Sequence, residues 1–133
     1  MMPRKYFTVE QANRLIPIVE TEIAELKKIQ NEFDEKWSAY HQVKENHQQH
    51  VQTETESMFK LECQLEFIEL QAQLHVKNIQ DTGAQLKGIE PGLVDFPSFK
   101  EKEEILLCWR EGEKEITFYH NKKDGFAGRK PLF

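Results

Sequence analysis

The sequence predicts an α+β fold, mostly α: a long antiparallel helical hairpin, coiled-coil-like, followed by a small antiparallel β-meander or hairpin at the C-terminus. Three observations predict it. Apolar residues recur at steps of three and four through the N-terminal two thirds. That periodicity lapses once, at a polar stretch. From residue 93 the period shortens and turn formers separate β-prone runs.

The first helix starts at "FTVEQA". Thr8 can cap it, Gln11 completes a capping box three residues later, and Phe7 with Ala12 forms a hydrophobic staple. Val9, Ala12, Ile16, Val19, Ile23, Leu26, Phe33, Trp37 and Tyr40 then trace a heptad seam interrupted only by Gln30. Pro17 lies within it and removes the bond to the Asn13 carbonyl, which predicts a kink or a break near residues 13–16. A short first helix ending at Asn13 is the alternative. The polar run "KENHQQHVQTETE" reads as frayed helix ends and a loop. Met58, Leu61, Leu65, Ile68, Ala72 and Ile79 resume the spacing, and Gly83 ends the second helix in a left-handed conformation. A second apolar edge (Phe59, Phe67, Leu70, Leu74) needs another surface. A homodimer with a four-helix arrangement, or the β part lying against the hairpin, would supply it.

In the C-terminal third, "LVDFPSF", "EILLCWR" and "EITFYH" read as a three-stranded meander over roughly 93–99, 104–110 and 115–120. Gly112-Glu113 offers a type II′ turn. That register pairs Trp109 with Ile116, Leu107 with Phe118, and Ile105 with His120 on one face. The expected organisation is one domain over 1–133: a hairpin over 1–83 with its loop near 46–54, and a β element with a C-terminal glycine turn over 84–133.

Composition narrows the function classes. A net charge of −5 argues against a general polyanion binder. Residues 1–90 carry ten Lys/Arg against fifteen Asp/Glu, whereas residues 91–133 carry eight of each, so a basic tip can sit on an acidic body. Lys122, Lys123, Arg129 and Lys130 form that tip. Cys63 and Cys108 have no paired spacing, which argues against a disulfide or a zinc site, and no cofactor is expected. The start "MMPRKYFTVEQ" lacks an apolar signal core and no run approaches the ~20 apolar residues of a membrane span. A cytoplasmic protein is the expectation.

The candidate site is "HNKKDGFAGRK". It is not a P-loop, lacking the Lys-[Ser/Thr] and the following helix, nor a Rossmann turn. Its G-x-x-G spacing is shared with KH domains, but there the loop joins two helices. The structural reading gives Gly125 and Gly128 positive φ, turns Phe126 inward, and pairs Arg129 with an acid such as Asp95 or Glu113. The functional reading has the Gly125–Gly128 amides and Arg129 hold a phosphate or carboxylate. His120 then serves as acid/base and Asp95 or Glu113 as orienter. His47 and His50, three apart, make at most half a metal site.

The blocks "YFTVEQANRLIP", "GLVDFPS", "LCWREGE" and "YHNKKDGFAGRKPL" resemble the family catalogued as domain of unknown function 2203, over nearly the whole chain. The last three blocks are specific. The family's final strand often ends Trp-His, where this chain has Tyr119-His120. The resemblance implies a helical hairpin with a C-terminal β element in a bacterial cytoplasm, and no established activity. Its pattern maps onto Asp95, Trp109, Gly112, Glu113, His120, Gly125, Phe126, Gly128 and Arg129. The leading expectation is a non-enzymatic interaction or assembly module, dimeric through the hairpin and able to bind a protein partner. A small enzyme or anion-binding protein competes with it, and nucleic-acid binding through the basic turn comes third.

Overall fold

The computed structural model describes residues 5–46 and 52–133. The elements are α1 (Val9–Asn46), α2 (Gln52–Asp81), β1 (Gln85–Ile89), β2 (Gly92–Lys100), β3 (Glu103–Arg110), β4 (Phe118–His120), a 3₁₀ turn (Phe126–Gly128) and β5 (Lys130–Pro131). The expected hairpin loop falls largely outside the described residues, as do His47 and His50.

α1 starts where its capping chemistry places it. The Gln11 amide donates to Thr8 Oγ1 at 3.1 Å, the Thr8 amide donates to Gln11 Oε1 at 3.0 Å, and Phe7 and Ala12 are both buried. The helix then runs unbroken through Pro17, so the break or restart near residues 13–16 does not occur. Packing explains why: Ala12, Ile16, Val19 and Ile23 are all buried, and they hold both sides of the proline on one continuous seam. α2 ends at Asp81, and Gly83 follows with φ 97°, donating its amide to the Gln80 carbonyl at 2.9 Å.

The two helices pack antiparallel. Glu22 bridges to His75 Nδ1 at 2.5 Å and accepts from Asn78 Nδ2 at 3.2 Å, while the Tyr40 hydroxyl donates to Glu62 at 2.9 Å. In α1 the buried seam stops at Ile29. Beyond it Phe33, Trp37 and Tyr40 form a half-exposed row, with neighbouring ring centroids 5.9 and 6.1 Å apart.

The sheet is antiparallel, five-stranded and ordered β1-β2-β3-β4-β5. Val94, Phe96, Ile105, Leu107 and Trp109 form its inner face and share one core with α1 and Ile79 of α2. The β part therefore does lie against the hairpin. β1 and β5 extend the expected three-stranded meander. β1 contains a register shift between Leu86 and Gly88, and β5 is two residues long, so neither carries a clean period of two. Pro97 sits in mid-β2 because β1 ends short of it, leaving the side where its N–H is missing without a ladder partner. The Phe7 amide runs alongside there and donates to the Pro97 carbonyl at 2.8 Å.

The tight turn at Gly112-Glu113 is corrected. Gly112 has φ 103°, but residues 111–117 form a longer connection and β4 begins only at Phe118. Three bonds shape it. The Ile116 amide donates to Asn13 Oδ1 of α1 at 2.8 Å, Trp109 Nε1 donates to the Glu113 carbonyl at 2.9 Å, and the Arg110 amide donates to Glu113 Oε1 at 2.7 Å. Leu106 consequently pairs with His120, Leu107 with Tyr119, and Cys108 with Phe118. The observed register differs by one residue from the predicted one. A slip of one moves every side chain to the other face, so His120 points away from the helices rather than sharing Ile105's face.

Candidate functional site

This register builds a second, outer face. Asp95 pairs with Cys108, and Cys108 with Phe118, in one cross-strand row; His120 sits beside them, opposite Leu106. Residues within a row lie close together, so three adjacent strands deliver an acid, a thiol and an imidazole to one point. Asp95, Cys108 and His120 are each at most 3% exposed. Their ligating atoms all lie within 4.8 Å of one another. The cluster forms one wall of a cavity of about 270 Å³, also lined by Lys87, Leu93, Leu106, Lys122, Gly125 and Phe126.

His120 is fixed at both nitrogens. Nδ1 lies 2.8 Å from the Asn121 carbonyl and Nε2 lies 3.0 Å from Asp95 Oδ2. A carbonyl only accepts, so Nδ1 carries a hydrogen. Nε2 is thereby turned toward the Asp95 carboxyl, with which it shares a hydrogen bond. Burial pushes the Cys108 thiol up to about 12, and the Asp95 carboxylate adds to the effect. A thiol held protonated is a poor nucleophile at neutral pH. The arrangement is thus not an activated Cys–His pair. It is a buried, hydrogen-bonded cluster of carboxylate, thiol and imidazole that also offers donors for a cation.

Glu113 and Arg129 form a separate clasp. Arg129 Nη2 donates to both Glu113 carboxylate oxygens at 2.8 Å and to the Cys108 carbonyl at 3.2 Å. The guanidinium lies 4.1 Å from the Phe118 ring centroid and 4.9 Å from that of Phe126. Since Glu113 also accepts the Arg110 amide, this one acid ties the 111–117 connection both to the end of β3 and to the residue that leads into β5. Of the two acids proposed for Arg129, the partner is Glu113, while Asp95 belongs to His120. The glycines serve the clasp in different ways. Gly125 has φ 54° and ψ −165°, a region open essentially to glycine. Gly128 does not have the expected positive φ; a Cβ there would lie 2.4 Å from Asp124 Cβ, so close approach demands glycine. Phe126 is 42% exposed and acts as a partial lid over Arg129 rather than an inward anchor. In the basic tip Lys122 pairs with Glu104, so two of its four cations already hold acids.

The structure therefore separates the predicted site residues into two groups: Asp95 with His120, and Glu113, Gly125 and Gly128 with Arg129. Cys108 was missed as a member of the first. Sequence spacing carried no sign of it, because its partners lie 13 residues before and 12 after it on neighbouring strands; only the correct register reveals the group.

Taken together, the chain is an α+β protein in which a helical hairpin carries a five-stranded antiparallel sheet closed by a C-terminal clasp. It belongs to the family described as "Uncharacterized conserved protein (DUF2203)", whose model matches residues 5–132. No curated protein and no solved structure matches the chain. Among the described residues no helix is long and apolar enough to cross a membrane.

Proposed function

We propose that this protein is an assembly module that pairs with a second copy of itself through α2, and that it acts in a bacterial cytoplasm as the family resemblance implied. The observation that carries the reading is a second apolar stripe on α2. At 100° per residue, Phe59, Cys63, Phe67, Leu70 and Leu74 fall within about 80° of arc. The buried residues Leu65, Ile68 and Ile79 lie on the opposite side of the helix. Phe59 is 68% exposed, Phe67 61%, Leu70 63% and Leu74 57%. At about 200 Å² for a side chain of this size, these four leave about 500 Å² of apolar surface in water. That is at the upper end of the largest patch on an ordinary monomer.

Two such stripes meeting about a twofold axis remove about 1,000 Å² from these side chains alone. Flanking residues bring the contact into the range of about 1,200–2,000 Å² of a stable interface. An antiparallel α2–α2 contact centred near residue 66 sets Phe59 against Leu74 and Cys63 against Leu70, with Phe67 near the axis. It also opposes the helix dipoles and keeps the two sheets apart. Multi-angle light scattering on the wild type should give a dimer at micromolar concentration, and Phe67→Glu with Leu70→Glu a folded monomer. A monomeric wild type, or a dimer unchanged by both substitutions, refutes the proposal.

A second reading, a small-ligand site, is favoured by the Asp95–Cys108–His120 cluster opening on its own cavity. Nucleic-acid binding draws less support, since Arg129 and Lys122 are already paired with acids.

A further inference from the structure

We propose that Asp95, Cys108 and His120 form a mononuclear site for a borderline-soft divalent cation of the zinc type, with a fourth coordination position open to the cavity beside it. The donors are the mixture such an ion prefers: one thiolate sulfur, one imidazole nitrogen and one carboxylate oxygen. They come from three neighbouring strands of one sheet, so a rigid scaffold sets their spacing.

The geometry is close to what a tetrahedral ion needs. With metal–ligand distances of about 2.0–2.1 Å to N and O and about 2.3 Å to S, the edges between donors are about 3.3 Å for N···O and about 3.6 Å where sulfur takes part. His120 Nε2 and Asp95 Oδ2 are 3.0 Å apart, and no donor pair exceeds 4.8 Å. The His120–Asp95 edge therefore needs to open by about 0.3 Å and the edges to sulfur to close by at most about 1.2 Å to admit the ion. The imidazole is already oriented for it. Its Nδ1–H is spent on the Asn121 carbonyl at 2.8 Å, the outer contact that metal-binding histidines ordinarily make, and this turns Nε2 inward.

Charge explains why a cation belongs there. A carboxylate, a thiolate and a neutral imidazole total −2, which a divalent ion cancels in a place where uncompensated charge is costly. Without the ion the buried thiol keeps its proton; binding releases that proton as the metal–sulfur bond forms, with no change of oxidation state. Gly125 and Phe126 also line the cavity, and the exposed Lys87 that shares it suits a small anionic fourth ligand.

Metal-free full-length protein titrated with Co²⁺ tests the proposal. The expected result is one equivalent bound, a thiolate-to-cobalt charge-transfer band, intense visible bands of a tetrahedral ion, and displacement by Zn²⁺. Isothermal titration of Zn²⁺ in buffers of different ionisation enthalpy should show proton release on binding, at least the one carried by the Cys108 thiol. Cys63→Ser should leave all of this unchanged, while Cys108→Ser abolishes the charge-transfer band. His120→Gln should weaken binding by more than the roughly 10–100-fold typical of losing an outer-shell partner. Because a cluster variant can fail to fold, the wild-type spectrum and proton count stand as independent readouts. No Co²⁺ or Zn²⁺ bound by the wild type at high micromolar concentration overturns the site, as does a charge-transfer band that Cys108→Ser keeps or Cys63→Ser loses.

Discussion

Replacing Arg129 with alanine asks whether this residue closes the fold or waits for an outside anion. In the structure its guanidinium holds both oxygens of Glu113 at 2.8 Å and the Cys108 carbonyl at 3.2 Å, between the rings of Phe118 and Phe126. Alanine leaves a largely buried carboxylate without its cation and a β3 carbonyl without this donor. Breaking a buried pair from one side costs about 3–5 kcal/mol. The Arg129 side chain is 14% exposed and that of Glu113 22%, so water relieves part of the loss and the lower figure, about 3 kcal/mol, applies. With a urea m-value of about 2 kcal/mol/M, the unfolding midpoint falls by about 1.5 M. Glu113→Ala should cost a similar amount, since it also strips the acceptor from the Arg110 amide. The double variant should then be less destabilised than the sum by about 1–3 kcal/mol, because both changes remove one shared contact. A loss under about 0.5 kcal/mol for Arg129→Ala, or strict additivity with Glu113→Ala, refutes the clasp and points to an anion site.

Three other outcomes follow from particular contacts. Lys100 pairs with Glu103, so Glu101 and Lys102 make a two-residue turn with φ 50° and 72°, where non-glycine residues are strained by about 1–2 kcal/mol each. Lys102→Gly should stabilise by about 1 kcal/mol and raise Tm by about 3–5 °C in calorimetry; an unchanged or lower Tm contradicts this. Cys63 should react with a thiol reagent once Phe67→Glu with Leu70→Glu leaves the α2 stripe open, while Cys108 stays protected until unfolding. Two thiols titrating at the same native rate would contradict it. Glu111 is held below the usual carboxylate range by Lys27 Nζ at 2.5 Å and by the Gly92 amide at 3.0 Å. A depressed folded-state value stabilises above the unfolded value of about 4.3 and is lost as pH falls through the folded one. Glu111→Gln should therefore flatten the fall in stability below about pH 5, and an unchanged acid limb would show that this contact carries none of it.

The parts of the fold legible in the sequence were those set by neighbours along the chain. Thr8 and Gln11 cap each other three residues apart, Gly83 needs only its own left-handed conformation, and the helical seam repeats locally. What escaped depends on distant partners. The connection after β3 looked like a tight turn because Gly112 suits one, yet its shape is set by the Ile116 amide bonding to Asn13, 103 residues away. That one bond helps set the register, and the register decides whether His120 faces the core or Asp95. The candidate site was half legible for the same reason. Arg129 could be matched to a short list of acids, but Cys108 became a member only once the strands were aligned. Pro17 shows the reverse case, in which a strong local signal for breaking a helix yields to two buried neighbours on each side of it.

The central claim is that the outer stripe of α2 meets the same stripe of a second copy, antiparallel about an axis near residue 66. Disulfide trapping tests it most directly. In a Cys63→Ser background, Phe67→Cys places a thiol close to the axis, within the Cα separation of about 4.4–6.8 Å that a disulfide spans. Phe59→Cys places one opposite Leu74 of the second copy, about 20 Å along the helix from its own counterpart. Under mild oxidation the Phe67→Cys protein should convert rapidly to a covalent dimer. The Phe59→Cys protein should do so only when mixed with Leu74→Cys. No covalent dimer from Phe67→Cys, or equal rates at both positions, would contradict the account.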